Sequence, residues 1–371
     1  MYNVLVTGGC GFIGSHLVDQ LTKMKHSVRV FDNLEFQVHE GKLPEYLNAD
    51  AEYIFGDVRN EDALKKVVED IDIIFHLAAC VGVGQSMYEI KRYVDVNSMG
   101  TAKLLETLIS EEANVKKLIV ASSMSIYGEG AYECEDCGVV YPRLRTKEQF
   151  KSKKWEVTCP ECKKIVKPIP TSESKPLHPT SVYAITKRDQ EEMCLTVGKA
   201  YGIPTVALRF FNVYGPRQSL SNPYTGVAAI FLSRIKNNNP PLIFEDGLQS
   251  RDFVNIRDIV QASILAMESN NANYEVFNVG TGEPTTILKI ANVLIKLFRS
   301  DLKPKILYKY RSGDIRHCYA DISKIKKIGF KPSVQLEKGM SELIEWGNKA
   351  KAKDKTEKAQ RELKEKGLIE A

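Results

Sequence analysis

The first fifteen residues place the strongest constraint on the fold. Residues 3–7 (NVLVT) predict a buried parallel strand, which runs directly into glycines at positions 8, 11 and 14. A helix is predicted from Phe12 to about Met24. A strand, a tight glycine turn and a helix N-terminus form a cradle for pyrophosphate, because free backbone N–H groups and the helix dipole point at the anion. The pattern predicts a dinucleotide-binding unit contacted by Gly8, Gly11, Phe12, Ile13 and Gly14.

An acidic residue at the end of the next strand indicates which dinucleotide binds. Residues 27–31 (SVRVF) predict a second strand, and Asp32 follows. A carboxylate there can accept a hydrogen bond from the adenosine 2′-hydroxyl and repels a 2′-phosphate, which favours NAD over NADP. The alternative is that Asp32 only begins a turn before Asn33.

Further apolar strands are predicted at residues 72–79, 117–121 and 205–210, alternating with helices, and a turn is predicted at residues 212–217. This order predicts an α/β fold with a Rossmann-type, doubly wound parallel sheet. Ligands bind beyond the carboxyl ends of the strands in such sheets. Asp57 either caps the following helix or reaches the adenine edge, and the two roles are compatible. The remaining residues that we expect at the cofactor are Asn33, Val58, Leu77, Ala78, Ala79 and Asn97.

Three residues predict a hydride-transfer site. Tyr183 and Lys187 are four positions apart on a predicted helix, so they lie on one face, and Ser123 follows the strand predicted to end at residue 121. A phenol with a pKa near ~10 is a poor base at neutral pH, unless positive charge close by favours the tyrosinate. The Lys187 ammonium and an oxidised nicotinamide ring can supply that charge. A surface helix with an unrelated Tyr and Lys is the alternative.

Four of the eight cysteines form two CxxC pairs, Cys134 with Cys137 and Cys159 with Cys162. This spacing allows two thiolates to hold each side of a tetrahedral zinc ion. Four protein ligands leave no open position, so we expect a structural zinc ribbon. The alternative is four free or disulfide-linked thiols. Cys10, Cys80, Cys194 and Cys318 lack such spacing and are expected to pack as small apolar residues.

Composition and charge narrow the function classes. The chain has 371 residues, 43% of them hydrophobic, and a net charge of +5. The modest positive charge suits anionic ligands, but no basic stripe with interleaved aromatics indicates nucleic-acid binding. The start of the sequence resembles neither a signal peptide nor a membrane span, so the expected location is cytoplasmic. From about Lys349 lysine and glutamate dominate, and a solvated terminal helix or frayed tail is expected.

With these motifs in place, the chain resembles extended short-chain dehydrogenases/reductases of the nucleotide-sugar epimerase and dehydratase family. The resemblance extends from Met1 to about Lys349, apart from one insertion. It is carried by the glycine loop and by six further segments: residues 77–79 (LAA), 122–128 (SSMSIYG), 183–187 (YAITK), 208–216 (LRFFNVYGP), 251–254 (RDFV) and 311–316 (RSGDIR).

The resemblance implies residue roles. Ser123 and Tyr183 would bond the reacting hydroxyl, Lys187 would hold the nicotinamide ribose, and Arg251 and Arg316 would clamp the substrate diphosphate. Guanidinium groups suit phosphate oxygens. The other residues expected at the substrate are Ser86, Met87, Met124, Ser125, Asn212 and Arg217. Relatives also imply a homodimer in which helices near residues 97–110 and 183–201 form a four-helix bundle.

Met124 and Ser125 narrow the reaction. In the dehydratase branch an Asp-Glu pair follows the catalytic hydroxyl residue, and neither a thioether nor a hydroxyl readily replaces those carboxylates. Branches that epimerise C3 and C5 have a cysteine in place of Ser125. The expected reaction is therefore inversion at C4 through a transient 4-keto sugar, with NAD tightly bound.

Within the family, the chain is most similar to dTDP-L-rhamnose 4-epimerases in residues 81–88, 121–130, 216–218 and 228–231. We therefore expect dTDP-L-rhamnose and its C4 epimer as the sugars. UDP-glucose, its N-acetylated analogue and UDP-glucuronate remain alternatives. Two other classes stay open: an NAD-dependent nucleotide-sugar oxidoreductase, and a non-catalytic NAD-binding adaptor that uses the zinc ribbon.

These expectations divide the chain into four parts. Residues 1–129 and 171–216 form the NAD-binding domain, and residues 130–170 form the zinc-ribbon insertion between Ser123 and Tyr183. Residues 217–348 form most of a smaller α+β substrate lobe, and residues 349–371 form the charged tail.

Overall fold

The computed structural model describes residues 1–370. Its centre is a sheet of seven parallel strands, which confirms the Rossmann-like fold. The strand at Asn3–Thr7 matches the prediction to the residue. In order across the sheet, the strands are Val276–Val279, Thr205–Phe210, Lys117–Ser123, Ile73–His76, Asn3–Thr7, Ser27–Asp32 and Glu52–Phe55.

The register of the sheet brings the predicted site segments together. Thr7 pairs with Phe31 on one side and with His76 on the other. Ser123 lies two strands from Thr7 and pairs with Phe210 on the adjacent strand. All seven strands therefore end on the same side of the sheet, where the glycine loop and Ser123 lie.

Two apolar layers cover the faces of the sheet. One contains Leu17, Val18 and Leu21 of the first helix, and the other contains Leu104 and Leu108 of the helix that precedes Lys117. The helices are Phe12–Lys23, Phe36–His39, Glu61–Val68, Val83–Ser86, Ile90–Tyr93, Gly100–Ser110, Lys147–Lys151, Val182–Tyr201, Val227–Lys236, Ile256–Glu268, Ile287–Phe298, Ser323–Lys326, Leu336–Lys349 and Thr356–Glu365, with a π-helix at Val94–Met99 and 3₁₀ helices at Met124–Tyr127 and Asn270–Ala272.

A smaller lobe of short strands and helices covers the carboxyl edge of the sheet. Residues 212–217 were expected to form a turn, but Asn212–Tyr214 is a strand that pairs in parallel with residues 253–255. The prediction was wrong because the partner strand lies about forty residues further along the sequence. The strands of this lobe are Asn212–Tyr214, Leu242–Ile243, Ser250–Asn255, Pro284–Thr286, Lys305–Ile306, Tyr310–Arg311, His317–Cys318 and Ile369–Glu370.

The insertion has its own sheet and its own core. Strand Ala131–Cys134 lies between Gly138–Val140 and Lys167–Ile169, and both pairings are antiparallel. Tyr132, Val157 and Val166 are buried beneath these strands together with cysteine side chains.

The charged tail is not a solvated helix. In Thr356–Glu365 the side chains of Ala359 and Leu363 are buried, and Ile369–Glu370 pairs with Tyr310–Arg311. The prediction of a solvated helix was wrong because one apolar stripe suffices to pack a helix whose other face is polar. Among the described residues, no helix is both long and apolar enough to cross a membrane.

Candidate active site

The glycine loop is shaped for close backbone approach. Gly8 has a φ of +72°, and a Cβ added there would lie 2.9 Å from Ala78 Cα. A Cβ on Gly14 would lie 2.3 Å from the Gly8 carbonyl oxygen. Gly11 precedes the first residue of helix Phe12–Lys23, and no side chain caps that helix end. Its first N–H groups therefore remain free for an anion.

Asp32 lies beside this loop and lines the same cavity. Its carboxylate accepts hydrogen bonds from the backbone N–H of Cys10 at 3.0 Å and of Leu34 at 2.8 Å. Asp32 therefore supports the glycine loop and also makes the turn that was the alternative interpretation. Each carboxylate oxygen can accept a further bond, so the ribose role stays compatible with this geometry.

Asp57 does not cap the helix that follows it. Asn60 caps helix Glu61–Val68, and the Asp57 carboxylate accepts hydrogen bonds from Arg59 and from Asn33 Nδ2. The Arg59 hydrogen bonds lower the pKa of Asp57 to about 2. The Asp57 side chain does not line the cavity, whereas its neighbours Gly56 and Val58 do.

One cavity of about 650 Å³ joins the glycine loop to the smaller lobe. Ser123, Tyr183 and Lys187 line it between these two ends. It also contains all the other residues expected at the cofactor except Asp57 and Asn97, and five of those expected at the substrate: Met87, Met124, Ser125, Asn212 and Arg251. The parallel sheet thus brings residues from most of the chain to one cleft.

Ser123 is oriented by its neighbour Ser125. The Ser125 hydroxyl donates to Ser123 Oγ at 2.9 Å, and the Ser125 backbone N–H approaches the same oxygen at 3.2 Å. The Ser123 proton remains available for another acceptor. Burial raises the pKa of the Tyr183 phenol, and the hydrogen bond with Ser123 acts in the opposite direction.

Lys187 lies in a polar network beneath Tyr183. Its Nζ donates to Gln190 Oε1 at 2.6 Å, and Gln190 Nε2 donates to Thr101 Oγ1 at 2.8 Å. The buried His76 ring bridges Thr101 and Thr7, with both distances 2.9 Å. Burial lowers the pKa of Lys187 to about 8 and that of His76 to about 3. The network fixes the ammonium relative to two central strands.

Neither Asn97 nor Ser86 lines the cavity. Asn97 is fully buried, exchanges hydrogen bonds with the Cys80 backbone at 2.7 and 3.1 Å, and donates to Thr186 Oγ1 at 3.0 Å. The Ser86 hydroxyl donates to the Val83 carbonyl at 2.7 Å. Both side chains therefore hold local backbone in place, which their positions in the sequence could not reveal.

The three arginines expected at the substrate have different environments. Arg251 lines the cavity, and its guanidinium donates to the carbonyls of residues 250, 315 and 316. Arg217 lies outside the cavity, where it pairs with Asp19 at 2.7 Å and stacks over Tyr46. Sequence motifs alone do not distinguish these surroundings.

Arg316 is wholly buried and does not reach the cavity. Its guanidinium contacts three carboxylates, those of Glu156, Glu245 and Asp246, at 2.5, 3.1 and 2.6 Å. This arrangement corrects the expectation that Arg316 clamps a diphosphate, because its charge is already neutralised. Arg311, from the same sequence motif, does line the cavity and lies over the Phe244 ring.

The insertion is attached to this part of the lobe by buried ion pairs. Arg145 donates to both carboxylate oxygens of Glu245, at 2.8 and 2.9 Å, and both side chains are almost completely buried. Glu156 belongs to the insertion and binds Arg316. Tyr310 stacks on Phe150 of the insertion at 4.5 Å. The insertion thereby supports the loop that carries Arg311.

The four CxxC thiols of the insertion converge on one point. Their sulfur atoms all lie within 4.8 Å of one another, and Cys134 and Cys162 are 3.4 Å apart. Tetrahedral zinc with Zn–S bonds of ~2.3 Å places its sulfurs about 3.8 Å apart. All eight cysteines are free thiols. The donor set and its spacing fit a Cys₄ zinc ion.

Three glutamines of the cavity wall, Gln218, Gln249 and Gln360, were not assigned from the sequence, whereas Asn212 was. Four amide atoms in the cavity wall are buried and have no hydrogen-bond partner within the described part of the chain: Asn212 Oδ1, Gln218 Oε1, Gln249 Oε1 and Gln360 Nε2. Unpaired buried amides are rare in folded proteins, so bound water or a ligand is expected to satisfy them. A glutamine alone gives no such signal in sequence.

The fold and the site together define a dinucleotide-dependent enzyme of the Rossmann class, with a Ser-Tyr-Lys set at the cofactor. The family model described as "NAD dependent epimerase/dehydratase family" matches residues 4–156 and 160–280. The chain belongs to this family. The expectation of an NAD-dependent epimerase is thereby confirmed at the level of the family.

Individual relatives match over nearly the whole chain. A dTDP-L-rhamnose 4-epimerase from Burkholderia thailandensis is 34% identical over 347 residues, covering 92% of this chain and 94% of the relative. The structure of Thermotoga maritima UDP-glucose 4-epimerase with UDP-glucose is 34% identical with a TM-score of 0.76, covering 94% and 99%. Bacillus cereus UDP-glucuronic acid 4-epimerase with UDP-glucuronic acid and NAD is 30% identical with a TM-score of 0.77, covering 93% and 98%.

Proposed function

We propose that the protein is a nucleotide-sugar 4-epimerase that inverts C4 through a transient 4-keto sugar. The observation that carries the proposal is the position of Ser123, Tyr183 and Lys187, in one cavity between the glycine loop and the smaller lobe. The positions after Ser123 hold Met124 and Ser125 rather than the carboxylate pair that dehydration needs. Oxidation and re-reduction at C4 require no acid or base beyond Tyr183 and Ser123.

The glycine loop, Asp32 and Lys187 would hold NAD. The helix N-terminus fits the pyrophosphate, the Asp32 carboxylate fits the 2′-hydroxyl, and the Lys187 ammonium fits a ribose hydroxyl. When bound, NAD supplies the hydride acceptor and returns the hydride, and its positive ring favours the tyrosinate. Burial by itself acts in the opposite direction on Tyr183.

Tyr183 and Ser123 would act on the C4 hydroxyl group of the sugar, Tyr183 as proton acceptor and Ser123 as hydrogen-bond donor. The Tyr183 oxygen takes the C4 hydroxyl proton as the carbonyl forms, and the Ser123 hydroxyl donates a hydrogen bond to the same sugar oxygen. After the keto sugar has presented its other face, Tyr183 returns the proton to the C4 oxygen. Because Ser125 fixes Ser123 Oγ, the serine is already oriented before the sugar binds.

For the sugar, we propose dTDP-L-rhamnose and its C4 epimer, dTDP-6-deoxy-L-talose. Met87 and Met124 line the cavity with apolar surface. A 6-deoxyhexose carries a methyl group at C5, and such surface can bury it with a gain of about 0.8 kcal/mol. The similarity to the Burkholderia enzyme supports the same assignment.

A UDP-sugar is the second candidate. Two of the solved relatives hold UDP-glucose or UDP-glucuronic acid. The unpartnered amides of Gln218 and Gln249 could also accept hydrogen bonds from hydroxyls that a 6-deoxy sugar lacks. The two candidate substrates would use the same catalytic groups and differ in the nucleotide base and in the substituents of the sugar.

For the insertion, we propose that its four cysteines hold one structural zinc ion. The sulfur positions support this assignment, and the closed ligand set leaves zinc no catalytic position. The metal would order the base of the segment that contributes Arg145 and Glu156 to the substrate lobe.

We further propose a homodimer through helices Gly100–Ser110 and Val182–Tyr201. Met99 and Ile185, at or near the starts of these helices, are 50% and 45% exposed, so an apolar surface is available for a second copy. Light scattering at micromolar concentration should report a dimer, and a monomer would contradict the assignment.

The function can be tested directly. The purified protein should release NAD on denaturation and, followed by NMR, should interconvert dTDP-L-rhamnose with its C4 epimer without added cofactor. Comparison of kcat/KM for UDP-glucose, UDP-N-acetylglucosamine and UDP-glucuronate decides the substrate. Preference for a UDP-sugar would leave the mechanism standing, and net oxidation of a sugar with release of NADH would overturn it.

A further inference from the structure

We propose that the C-terminal segment of residues 356–368 forms a wall of the substrate cavity and that Gln360 binds the nucleotide sugar. The inference rests on the proposed function, because it assigns a further ligand contact within the same site. The strongest observation is that a helix remote in sequence from every recognised motif lines this cavity with Gln360, whose Nε2 has no hydrogen-bond partner in the described residues.

The segment is held at both ends. Before the helix, Asp354 pairs with Arg234 at 3.0 Å, with both side chains less than 10% exposed, and it also accepts a hydrogen bond from Asn239. After the helix, the Ser312 N–H donates to the Leu368 carbonyl at 3.0 Å. The helix is therefore fixed over the cavity by contacts that precede and follow it.

One face of the helix points into the cavity. Thr356, Ala359, Gln360 and Leu363 all line it, at positions i, i+3, i+4 and i+7. This spacing places side chains on a single helix face. Arg361, Lys364 and Glu365 are exposed on the remaining surface. The charged residues of the helix therefore lie on its solvent-facing side, opposite the face that lines the cavity.

The same helix contacts the loops that hold the proposed sugar-binding residues. Glu362 Oε2 accepts a hydrogen bond from the Tyr224 hydroxyl at 2.9 Å, and that hydroxyl lies 2.6 Å from the Tyr88 hydroxyl. Leu363 packs on Gly84, where an added Cβ would lie 3.2 Å from the leucine. The helix therefore joins the segment around Met87 to the turn around Tyr224.

Gln360 is the residue of this helix face whose side-chain amide can form hydrogen bonds with the ligand. Gln360 and Gln218 both line the cavity, and Gln360 Nε2 and Gln218 Oε1 have no hydrogen-bond partner within the described residues. A neutral amide suits a hydroxyl or carbonyl oxygen of the ligand rather than its phosphates. Sugar hydroxyls and the pyrimidine carbonyls of a nucleotide sugar both offer such an oxygen.

The test compares Gln360→Met with Lys364→Ala. The first removes the amide while keeping side-chain length, and the second changes an exposed residue of the same helix. We expect Gln360→Met to raise KM for the nucleotide sugar about tenfold, as for one lost hydrogen bond, while NAD content and thermal stability stay at wild-type values. Lys364→Ala should match wild type in all three.

Calorimetry with dTDP and UDP alone identifies the half of the ligand that Gln360 contacts. Weaker binding of the free nucleotide to the variant indicates the base, and unchanged nucleotide binding with a raised KM indicates the sugar. An unchanged KM together with unchanged nucleotide binding overturns the proposal while the epimerase function stands. A wild-type protein that neither binds nor converts any of the four nucleotide sugars overturns both.

Discussion

The Lys187 ammonium donates to Gln190 Oε1 at 2.6 Å, one turn further along the same helix. Gln190 in turn donates to Thr101 and contacts His76, so the position of the ammonium depends on residues from three elements. The Tyr183–Lys187 spacing places the two catalytic side chains on one face of the helix, and Gln190 fixes the lysine there.

Gln190→Glu should shift the pH dependence of turnover. Burial lowers the pKa of Lys187 to about 8, so activity that needs the ammonium should fall as pH rises through that region. A neighbouring carboxylate favours the charged form and should move this alkaline limb upward by about one pH unit. Glu192→Gln, an exposed change on the same helix, should leave the limb in place. An unmoved limb in Gln190→Glu would contradict the network.

Tyr183→Phe should abolish most turnover while retaining NAD. The phenol is the proposed proton acceptor, and such groups contribute about 10²- to 10⁴-fold. Tyr201→Phe is the matched control, because Tyr201 lies on the same helix and is 60% exposed. Turnover by Tyr183→Phe within a few-fold of wild type would sink the assignment.

Loss of the metal should raise KM rather than release NAD. Elemental analysis should find one zinc per subunit, and Cys134→Ser should lose it. Because Arg145 and Glu156 connect the insertion to Glu245 and Arg316, loosening the insertion should disturb the substrate end of the cavity. The neighbouring exposed change Glu133→Ser should retain zinc. A metal-free wild-type protein after chelator-free purification would count against the prediction.

Arg316→Leu should affect stability, whereas Arg311→Leu should affect substrate affinity. Removing Arg316 leaves buried carboxylates without a counter-ion, which costs about 3–5 kcal/mol of unfolding free energy. Arg311 is exposed, pairs with Asp314 at 2.8 Å and lines the cavity, so its loss should change stability by less than about 1 kcal/mol. Urea denaturation and KM measurements separate the two. Normal stability with a raised KM in Arg316→Leu would restore the diphosphate role.

Acid should destabilise the protein through His76. Its pKa is lowered by burial to about 3, while the unfolded chain has an ordinary value near ~6.5. Between these values the unfolded state binds more protons, so stability falls with decreasing pH by up to about 1.4 kcal/mol per unit. Denaturation at pH 7 and pH 5 should show a smaller difference in His76→Asn than in wild type. Equal differences would refute this role.

The sequence by itself determined the features that depend on local geometry. Residues 3–7 and the glycine spacing specify a strand, a turn and a helix start, because only glycine permits the approach of Gly8 and Gly14 to neighbouring backbone. The four-residue spacing of Tyr183 and Lys187 and the two CxxC pairs are likewise local patterns, and the structure brings each set together.

Only the tertiary structure decided what distant partners do to these residues. Arg316 was expected at a phosphate, yet three carboxylates up to 160 positions away enclose it. The charged tail was expected in solvent, yet its one apolar face closes the cavity and brings Gln360 into it. Residue type fixes which bonds a side chain can make. The packing of remote elements decides which partners are present and whether water competes for them.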